Sequence, residues 1–506
     1  MKTSSNILYE LIAGLSASEK RHFKSFSPQN ADYIKLFDHI QHRGCSSDED
    51  LQLESIGLGK QRYSLLKSYL YHNLLHSLSL FHQGSSLRAQ LNRKVHEAEI
   101  LRSKGFFDAG WRLLARVKKQ ALQVEQLGIV MEVLRVERDF IRSGPKPKKQ
   151  WEMAQRNSEE EALVLEQLQE LNRCKSIHDE VIFRFQRKAW NSVSGAREEL
   201  AGLSAQLEAI NPADLKSLSA KLFVYNALVY LYFSWMEIEV ALDQCRAMAT
   251  LLENHPKFTR ENLRYYVSTL NNMAAGAHYT KQTDLLLETL DKMSALQPIY
   301  KGKKTAEAAR VFGRIFHTRA NFFTELGRFS SCLALEEEID WGLRFFKDMI
   351  EAERAVGMLF PLIVANLGSG HWHNALKRVN QVLEFPNSKL LPIFQDAIVL
   401  INCVVHQELG NWDLLESLLE RARRHLGGRD HLTPPVKALL HFLQRLLQEA
   451  PPEKDYPAVA RECLHDLEDL DSMTLGWHPY SWLKAKSEGR PYQEVLVESF
   501  ARIAKS

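Results

Sequence analysis

A glycine followed two residues later by an aromatic residue, and three residues after that by a small or apolar residue, recurs along this chain. The clear copies are KGFFDAG ending at Gly110, ELGRFSSC ending at Cys332, SGHWHNA ending at Ala375 and GNWDLL ending at Leu415. Glycine tolerates the left-handed backbone conformation that commonly ends a helix. The aromatic residue fills the corner between two helices, and the small residue lets them approach. The motif therefore predicts a helix, a tight corner and a second helix.

The spacing of these copies is nearly constant. Weaker copies end at Ala154, Ala196, Ala241 and Leu286, so that consecutive markers lie 40 to 46 residues apart. The clear copies alone are consistent with this period, because positions 110 and 332 are 222 residues apart, or five units of about 44 residues. Such a period is typical of tandem helical hairpins, which bury both faces only when they stack.

Helical periodicity extends over most of the chain. Apolar residues recur at i, i+3, i+4 and i+7, whereas alternation typical of strands is hard to find. Many of the 16 prolines stand at breaks in this pattern, for example Pro256, Pro298 and Pro386. A chain of 506 residues is also too long for one compact core in most architectures. We therefore predict an all-α fold, a right-handed α-solenoid of stacked helical hairpins with helical caps.

The corners GNWDLL, GRFSSC and GHWHNA resemble the inter-helix corner of tetratricopeptide repeats over residues 86 to 450. Two departures imply longer helices and a less regular superhelix. The period is 40 to 46 residues instead of about 34, and Cys332 and Leu415 occupy the small position. The segment LIAGLSASEKRHFK, residues 11–24, is also similar to the start of uncharacterised bacterial helical-repeat proteins. That likeness implies no activity.

The two ends of the chain differ from the repeats. We predict an N-terminal helical domain or cap at 1–83, repeats at 84–450 and a C-terminal helical cap at 451–506. Ser16 and Glu19 form a capping-box pattern, and helices are expected at 33–42, 48–55 and 59–82. The N-terminal helices are compatible with a solenoid cap or with a helix-turn-helix domain. Residues 1–83 carry nine Lys and Arg against eight Asp and Glu, without the basic excess of a DNA-binding segment.

The bulk composition limits the partners and the compartment. The net charge of +3 gives no general attraction to nucleic acid, which is not expected as a partner. The six cysteines are scattered singly, as suits a reducing cytoplasm, and no signal peptide is expected. The most apolar run, residues 222–236, is too short to span a bilayer and predicts a buried helix.

Short motifs associated with chemistry are incomplete. GLGKQ, residues 57–61, lacks the first glycine and the final Ser or Thr of a phosphate-binding loop. HNLLH, from His72 to His76, lacks the glutamate of a zinc protease, and both histidines are expected to face solvent. The basic runs at 145–149 and 301–304 predict solvated loops. We expect no catalytic residue, no cofactor and no metal site, although distant residues can converge in a fold.

The strongest binding signal is a cluster of aromatic residues between positions 225 and 235. Tyr225, Tyr230, Tyr232 and Trp235 are the candidate partner-binding residues, with Phe233 between them. Aromatic side chains on the first helix of a hairpin can bind a peptide. We expect a non-catalytic scaffold or adaptor that binds a protein or peptide. The alternatives are a regulator with an N-terminal DNA-binding segment and a peptide-sensing repeat domain, and an enzyme that uses a groove between hairpins.

Overall fold

The computed structural model describes residues 7–28, 31–43, 60–84, 86–143, 147–188, 196–302, 304–386, 390–427, 433–450, 452–465, 467 and 477–503. Within these ranges every element of secondary structure is a helix, which confirms the predicted all-α class. None of the described helices is long and apolar enough to cross a membrane. The apolar run 222–236 falls in a largely buried helix, as predicted.

The described α-helices are numbered in chain order. They are α1 (Ile7–Gly14), α2 (Ala17–Phe26), α3 (Asp32–Arg43), α4 (Lys60–His82), α5 (Leu87–Ser103), α6 (Phe107–Gln123), α7 (Leu127–Arg142), α8 (Pro147–Lys188), α9 (Ala196–Glu208), α10 (Leu218–Ser234), α11 (Ile238–Asn254), α12 (Pro256–Glu261), α13 (Leu263–Tyr279), α14 (Thr283–Ser294), α15 (Gln297–Tyr300), α16 (Ala306–Glu325), α17 (Phe329–Leu333), α18 (Glu336–Phe346), α19 (Ala352–Gly368), α20 (Trp372–Leu383), α21 (Pro392–Glu408), α22 (Trp412–Leu426), α23 (Pro434–Glu449), α24 (Tyr456–Cys463), α25 (Pro479–Glu488) and α26 (Tyr492–Ile503). Short 3₁₀ turns occur at Lys347–Met349 and Glu453–Asp455.

The chain divides into two compact units, Met1–Gln169 and Glu170–Ser506. The predicted boundaries at 83/84 and 450/451 fall inside these units. In the first unit, α1 to α4 bury their own apolar core around Phe23, Phe37 and Leu70. The predicted capping box is present, because the backbone N–H of Ser16 donates to Glu19 and the N–H of Glu19 donates to Ser16. Helices α3 and α4 confirm the predictions at 33–42 and 59–82, whereas 48–55 lies outside the described residues.

In the second unit, helices that follow one another in the chain pack as pairs. The pairs are α10 with α11, α13 with α14, α19 with α20, α21 with α22 and α25 with α26. In the α16 pair, the second helix is broken into α17 and α18. One apolar core runs through these pairs from α10 to α26. First helices also contact the first helix of the next pair, as α13 does with α16 and α16 with α19.

The same corner joins many of these helices. In each corner, a residue with positive φ stands two or three positions before the first residue of the next helix. These residues are Gly105, Glu125, Met236, Lys281, Gly327, Gly370, Gly410 and Gly489. The residue after it donates its backbone N–H to the carbonyl oxygen five positions earlier, at 2.7 to 3.0 Å. This hydrogen bond is typical of the Schellman motif, which satisfies the last carbonyl groups of a helix.

The predicted markers mostly coincide with these corners. Gly110, Ala241, Leu286, Cys332, Ala375 and Leu415 are each the fourth residue of a helix and are buried. The predicted corner before Ala154 is wrong, because Ala154 is half-buried within the uninterrupted 42-residue helix α8. Ala196 is the first residue of α9, and the segment before it lies outside the described residues.

Two smaller predictions are also corrected. The basic run at 145–149 was expected to be a loop, but Pro147 begins α8, where a first-turn proline needs no hydrogen-bond donor. In the sequence, Val379, Val382 and Leu383 form an apolar stripe after Ala375 that predicts packing on the next hairpin, and Leu383 departs from this prediction. Its side chain is 47% exposed, because the apolar stripe of α20 ends one residue earlier.

Candidate partner-binding site

The aromatic residues predicted to bind a partner surround the C-terminal half of α10. Tyr225, Tyr230, Tyr232 and Trp235 are all half-buried. Tyr225 packs against the large core of the second unit, whereas the other three pack against a smaller core between α8, α9 and α10. Tyr232 and Trp235 meet edge to face, with ring centroids 5.9 Å apart. The structure therefore brings two of the four residues into contact and places Tyr225 elsewhere on the helix.

Successive first helices touch through side chains of known geometry. Phe223 of α10 meets Tyr265 of α13 edge to face at 5.9 Å. The Thr318 hydroxyl of α16 donates to Asn271 of α13 at 2.7 Å. These contacts place α10, α13 and α16 in a row, which α19 extends through its packing on α16.

The contact between α16 and α19 contains a cluster of basic side chains, Arg314, His317 and Arg354, here called the basic cluster. Arg354 Nη1 lies 3.2 Å from His317 Nδ1. Because a guanidinium can only donate, Nδ1 is the acceptor, and the neutral ring carries its proton on Nε2. All three side chains are half-buried.

Two glycines make room for this cluster. A Cβ atom at Gly313 of α16 would lie 2.8 Å from Cγ of Arg354, and one at Gly357 of α19 would lie 3.2 Å from the ring of His317. Each helix thus offers a glycine beneath the basic side chain of the other. Glycine within a helix usually costs about 0.5–1 kcal/mol relative to alanine. The close approach of Arg354 and His317 accounts for that cost at both positions.

The electrostatics of the basic cluster are unfavourable in the absence of an anion. Burial, together with the charges of Arg354 and Arg314, lowers the pKa of His317 to about 4. Burial and the charge of Arg354 also lower the pKa of Arg314. Among the described residues, no carboxylate forms an ion pair with Arg314 or Arg354. Half-buried cations without an acidic partner are uncommon, because desolvation is then uncompensated.

Tyr230 connects the predicted aromatic residues to the basic cluster. Its phenol is close enough to Arg314 to oppose the lowering of that residue's pKa. Tyr230 also influences Tyr265, whose pKa is raised mainly by burial. The face of the first helices therefore carries aromatic rings on α10 and α13 beside unpaired positive charges on α16 and α19. The basic residues were not predicted from the sequence, although Arg314 and His317 lie one turn apart on α16.

A second polar cluster lies two turns further along α16. His278 Nε2 of α13 is 3.2 Å from Glu325 Oε2, and Asn321 donates to the other oxygen of Glu325 at 2.7 Å. Burial raises the pKa of Glu325 to about 7 against the opposing hydrogen bond from Asn321. Burial lowers the pKa of His278. Both side chains are half-buried, and neither lines the groove around Gly370, Gly410 and Gly489.

A groove of about 540 Å³ lies where three corners of the second unit meet. Gly370, Gly410 and Gly489 line it, together with Trp372, Trp412, Trp482, Tyr456 and Tyr492. Lys486 also lines the groove. Its Nζ atom lies 2.5 Å from Glu408 Oε1 and 5.3 Å from the centroid of the Trp482 ring. The acid and the cation within this groove neutralise each other, unlike the basic cluster.

The other candidate motifs gain no support from the structure. His72 and His76 are exposed on α4, as predicted. Most of GLGKQ lies outside the described residues. Over the ranges given above, no group of three His, Cys, Asp or Glu residues is arranged to hold a metal ion. Lys24 pairs with Asp38 and Lys35 with Asp32, so these N-terminal lysines have local acidic partners.

The sequence matches no protein-family model, and it matches no curated protein at a significant level. The resemblance to tetratricopeptide repeats therefore rests on the corner residues, and function has to be argued from the side chains.

Proposed function

We propose that the chain is a non-catalytic scaffold or adaptor that binds a segment of another protein along the first helices α10, α13, α16 and α19. The observation that carries the proposal is the row of half-buried aromatic and unpaired basic side chains on this face, including Tyr230, Tyr265, Arg314 and Arg354. Aromatic and arginine side chains are the residues most enriched at energetically dominant positions of interfaces.

The repeated corners support a stacked arrangement of the helix pairs. From α10 onward, corners at Met236, Lys281, Gly327, Gly370 and Gly410 follow one another at intervals of 40 to 46 residues. We infer a right-handed α-solenoid, in which each pair covers an apolar face of its neighbour. A stack of this kind holds its side chains in place before the partner arrives, which limits the entropy lost on binding. Five of the six cysteines lie in the ranges that the structure describes, and these five are free and buried, which suits the proposed cytoplasmic location.

Crosslinking and affinity purification of the tagged full chain from its native cells tests this function. Tyr230→Ala and Trp235→Ala remove rings from the proposed face, and Trp151→Ala is the matched control because Trp151 is 65% exposed on α8. Circular dichroism establishes that each variant is folded. We expect a reproducible protein partner that is lost with Tyr230→Ala and retained with Trp151→Ala.

The proposal fails if no protein partner is recovered, or if the partner is retained by both variants of the proposed face. Recovery of nucleic acid instead of protein favours the DNA-binding regulator. In that case, a gel shift of the full chain with random duplex DNA at low salt should be positive.

A further inference from the structure

The basic cluster places two arginines on either side of His317. Arg354 Nη1 lies 3.2 Å from His317 Nδ1, and Arg314 precedes His317 by one helical turn on α16. Arg314 and Arg354 come from different helices, and each lies close enough to His317 to lower the pKa of its ring. The opposed glycines Gly313 and Gly357 give Arg354 and His317 the space that they occupy. Like charges held together in a half-buried position destabilise a fold unless an anion neutralises them.

We propose that Arg314, His317 and Arg354 bind the phosphate monoester dianion of a phosphorylated residue in the bound protein segment. The site needs no metal, because the two guanidinium groups supply two positive charges. The assignment of the phosphoryl group to a protein rests on the proposed function, whereas the anion site itself does not.

The charge of the site selects a dianion over a carboxylate. A phosphate monoester carries a charge of about −1.5 to −2 at neutral pH, so one group neutralises both arginines. A carboxylate would leave one positive charge without compensation. Guanidinium groups also match the oxygen geometry of a phosphate with paired N–H donors. His317 adds a neutral donor, because Arg354 occupies its Nδ1 and leaves the proton on Nε2.

The surroundings of the site favour a peptide over a free small molecule. The phenol of Tyr230 is close enough to affect the pKa of Arg314 and that of Tyr265, and Tyr265 meets Phe223 edge to face. These rings continue the face from the basic cluster toward α10. A peptide carrying a phosphorylated residue can place neighbouring apolar side chains on the rings, whereas inorganic phosphate cannot reach them.

Fluorescence anisotropy with the full chain tests the proposal. The probes are a short degenerate peptide library containing a central phosphoserine and the same library with serine or glutamate at that position, with inorganic phosphate as competitor. The variants are Arg314→Gln and Arg354→Gln. Arg344→Gln is the matched control, because Arg344 is exposed on α18, which is not one of the first helices. Arg354→Lys keeps the charge and loses the planar fork of donors.

We expect the phosphoserine library to bind at least tenfold more tightly than either comparison library. Each glutamine variant should weaken binding by roughly tenfold or more, as loss of a hydrogen bond to a charged group predicts. Arg344→Gln should bind as tightly as the wild type, and the affinity of Arg354→Lys should lie between those of the wild type and Arg354→Gln. Inorganic phosphate should compete at high concentration.

Equal binding of the glutamate and phosphoserine libraries overturns the dianion assignment. Binding that survives both glutamine variants shows that the phosphate site lies elsewhere. If inorganic phosphate displaces the probe as effectively as the peptide does, the ligand of the site is not a protein segment. Because the wild-type titration alone decides phosphate dependence, a variant that fails to fold does not block the test. A protein partner captured from cells but no phosphoserine binding would leave the proposed function standing and reject the anion site.

Discussion

Arg354 Nη1 lies 3.2 Å from His317 Nδ1, and each of these side chains passes over a glycine of the opposite helix. The arrangement holds Arg354 near Arg314, although the two like charges repel. Apolar side chains could fill this space at a lower cost in free energy, because burying them removes no hydration from a charged group. The two arginines therefore indicate a surface that is completed by an anionic ligand.

Arg354→Gln should stabilise the unliganded protein at low salt. The substitution removes the repulsion with Arg314, and glutamine can still donate to His317. The expected gain is about 0.5 kcal/mol, and it should shrink as salt screens the charges. Urea unfolding at low and high salt measures it, with Arg310→Gln as the exposed control. A loss of stability above about 1 kcal/mol at low salt would show that Arg354 is needed structurally.

Met236→Gly and Lys281→Gly should each stabilise the second unit by about 1 kcal/mol. Both residues are exposed and have positive φ, at 60° and 63°, a conformation that costs an L-residue with a Cβ about 1–2 kcal/mol. The reverse change, Gly410→Ala at φ 68°, should destabilise by a similar amount. Thermal unfolding of the three variants measures these effects. Destabilisation by Lys281→Gly would contradict the corner geometry.

Gly342→Ala should be severely destabilising. A Cβ atom there would lie 1.9 Å from Cζ of Phe312, a fully buried ring. Overpacking in a filled core typically costs about 1–3 kcal/mol, and this contact should reach or exceed the upper end. Gly202→Ala in α9 is the matched control, because nothing lies within 4 Å of its added Cβ. That variant should gain about 0.5–1 kcal/mol from helix propensity, so the two melting temperatures should move in opposite directions.

Glu325→Gln should remove a pH dependence of stability. Burial raises the pKa of Glu325 to about 7, above the ordinary value of 4.5, so folding favours the protonated carboxyl. Its contribution is fully present below pH 4.5 and is lost as the pH rises through about 7, by roughly 3 kcal/mol in total. The lowered pKa of His278 acts in the opposite sense, because stability from the neutral ring falls as the pH falls.

The difference in the free energy of unfolding between wild type and Glu325→Gln gives the contribution of the Glu325 carboxyl group. Relative to the wild type, the variant should gain stability progressively between pH 4.5 and pH 8, as measured by chemical unfolding at several pH values. Glu307→Gln, at an exposed position of the same helix, should show no such gain. A constant difference across this range would mean that Glu325 titrates normally.

Local sequence signals predicted the helices and several corners. At Gly327, Gly370 and Gly410, glycine is followed by an aromatic residue at the start of a helix, and the structure shows the expected positive φ. The corner at Glu125 carries no such signal, because it contains neither a glycine nor an aromatic residue. The predicted corner before Ala154 is wrong, and the absence of Gly and Pro between Pro147 and Gly195 was the signal for the long helix α8.

The candidate site could be predicted only in part. The aromatic residues of α10 stand out because they cluster within eleven positions of the sequence. Arg314 and Arg354 are forty residues apart and meet only through the packing of α16 on α19. Periodicity shows which face of a helix a residue occupies, but the register between two helices depends on their side-chain packing. Gly313 and Gly357, two helix-interior glycines, were the available signals of close approach.

Photocrosslinking from position 230 determines whether a partner protein lies against the proposed face. A benzoylphenylalanine introduced in place of Tyr230, in the tagged full chain within its native cells, reports what lies against the proposed face. The same group in place of Trp151 serves as the control, because that residue is exposed in the other unit. We expect a specific crosslink to one partner protein from position 230 and none to that protein from position 151. No protein crosslink from position 230, or the same crosslinks from both positions, would contradict it.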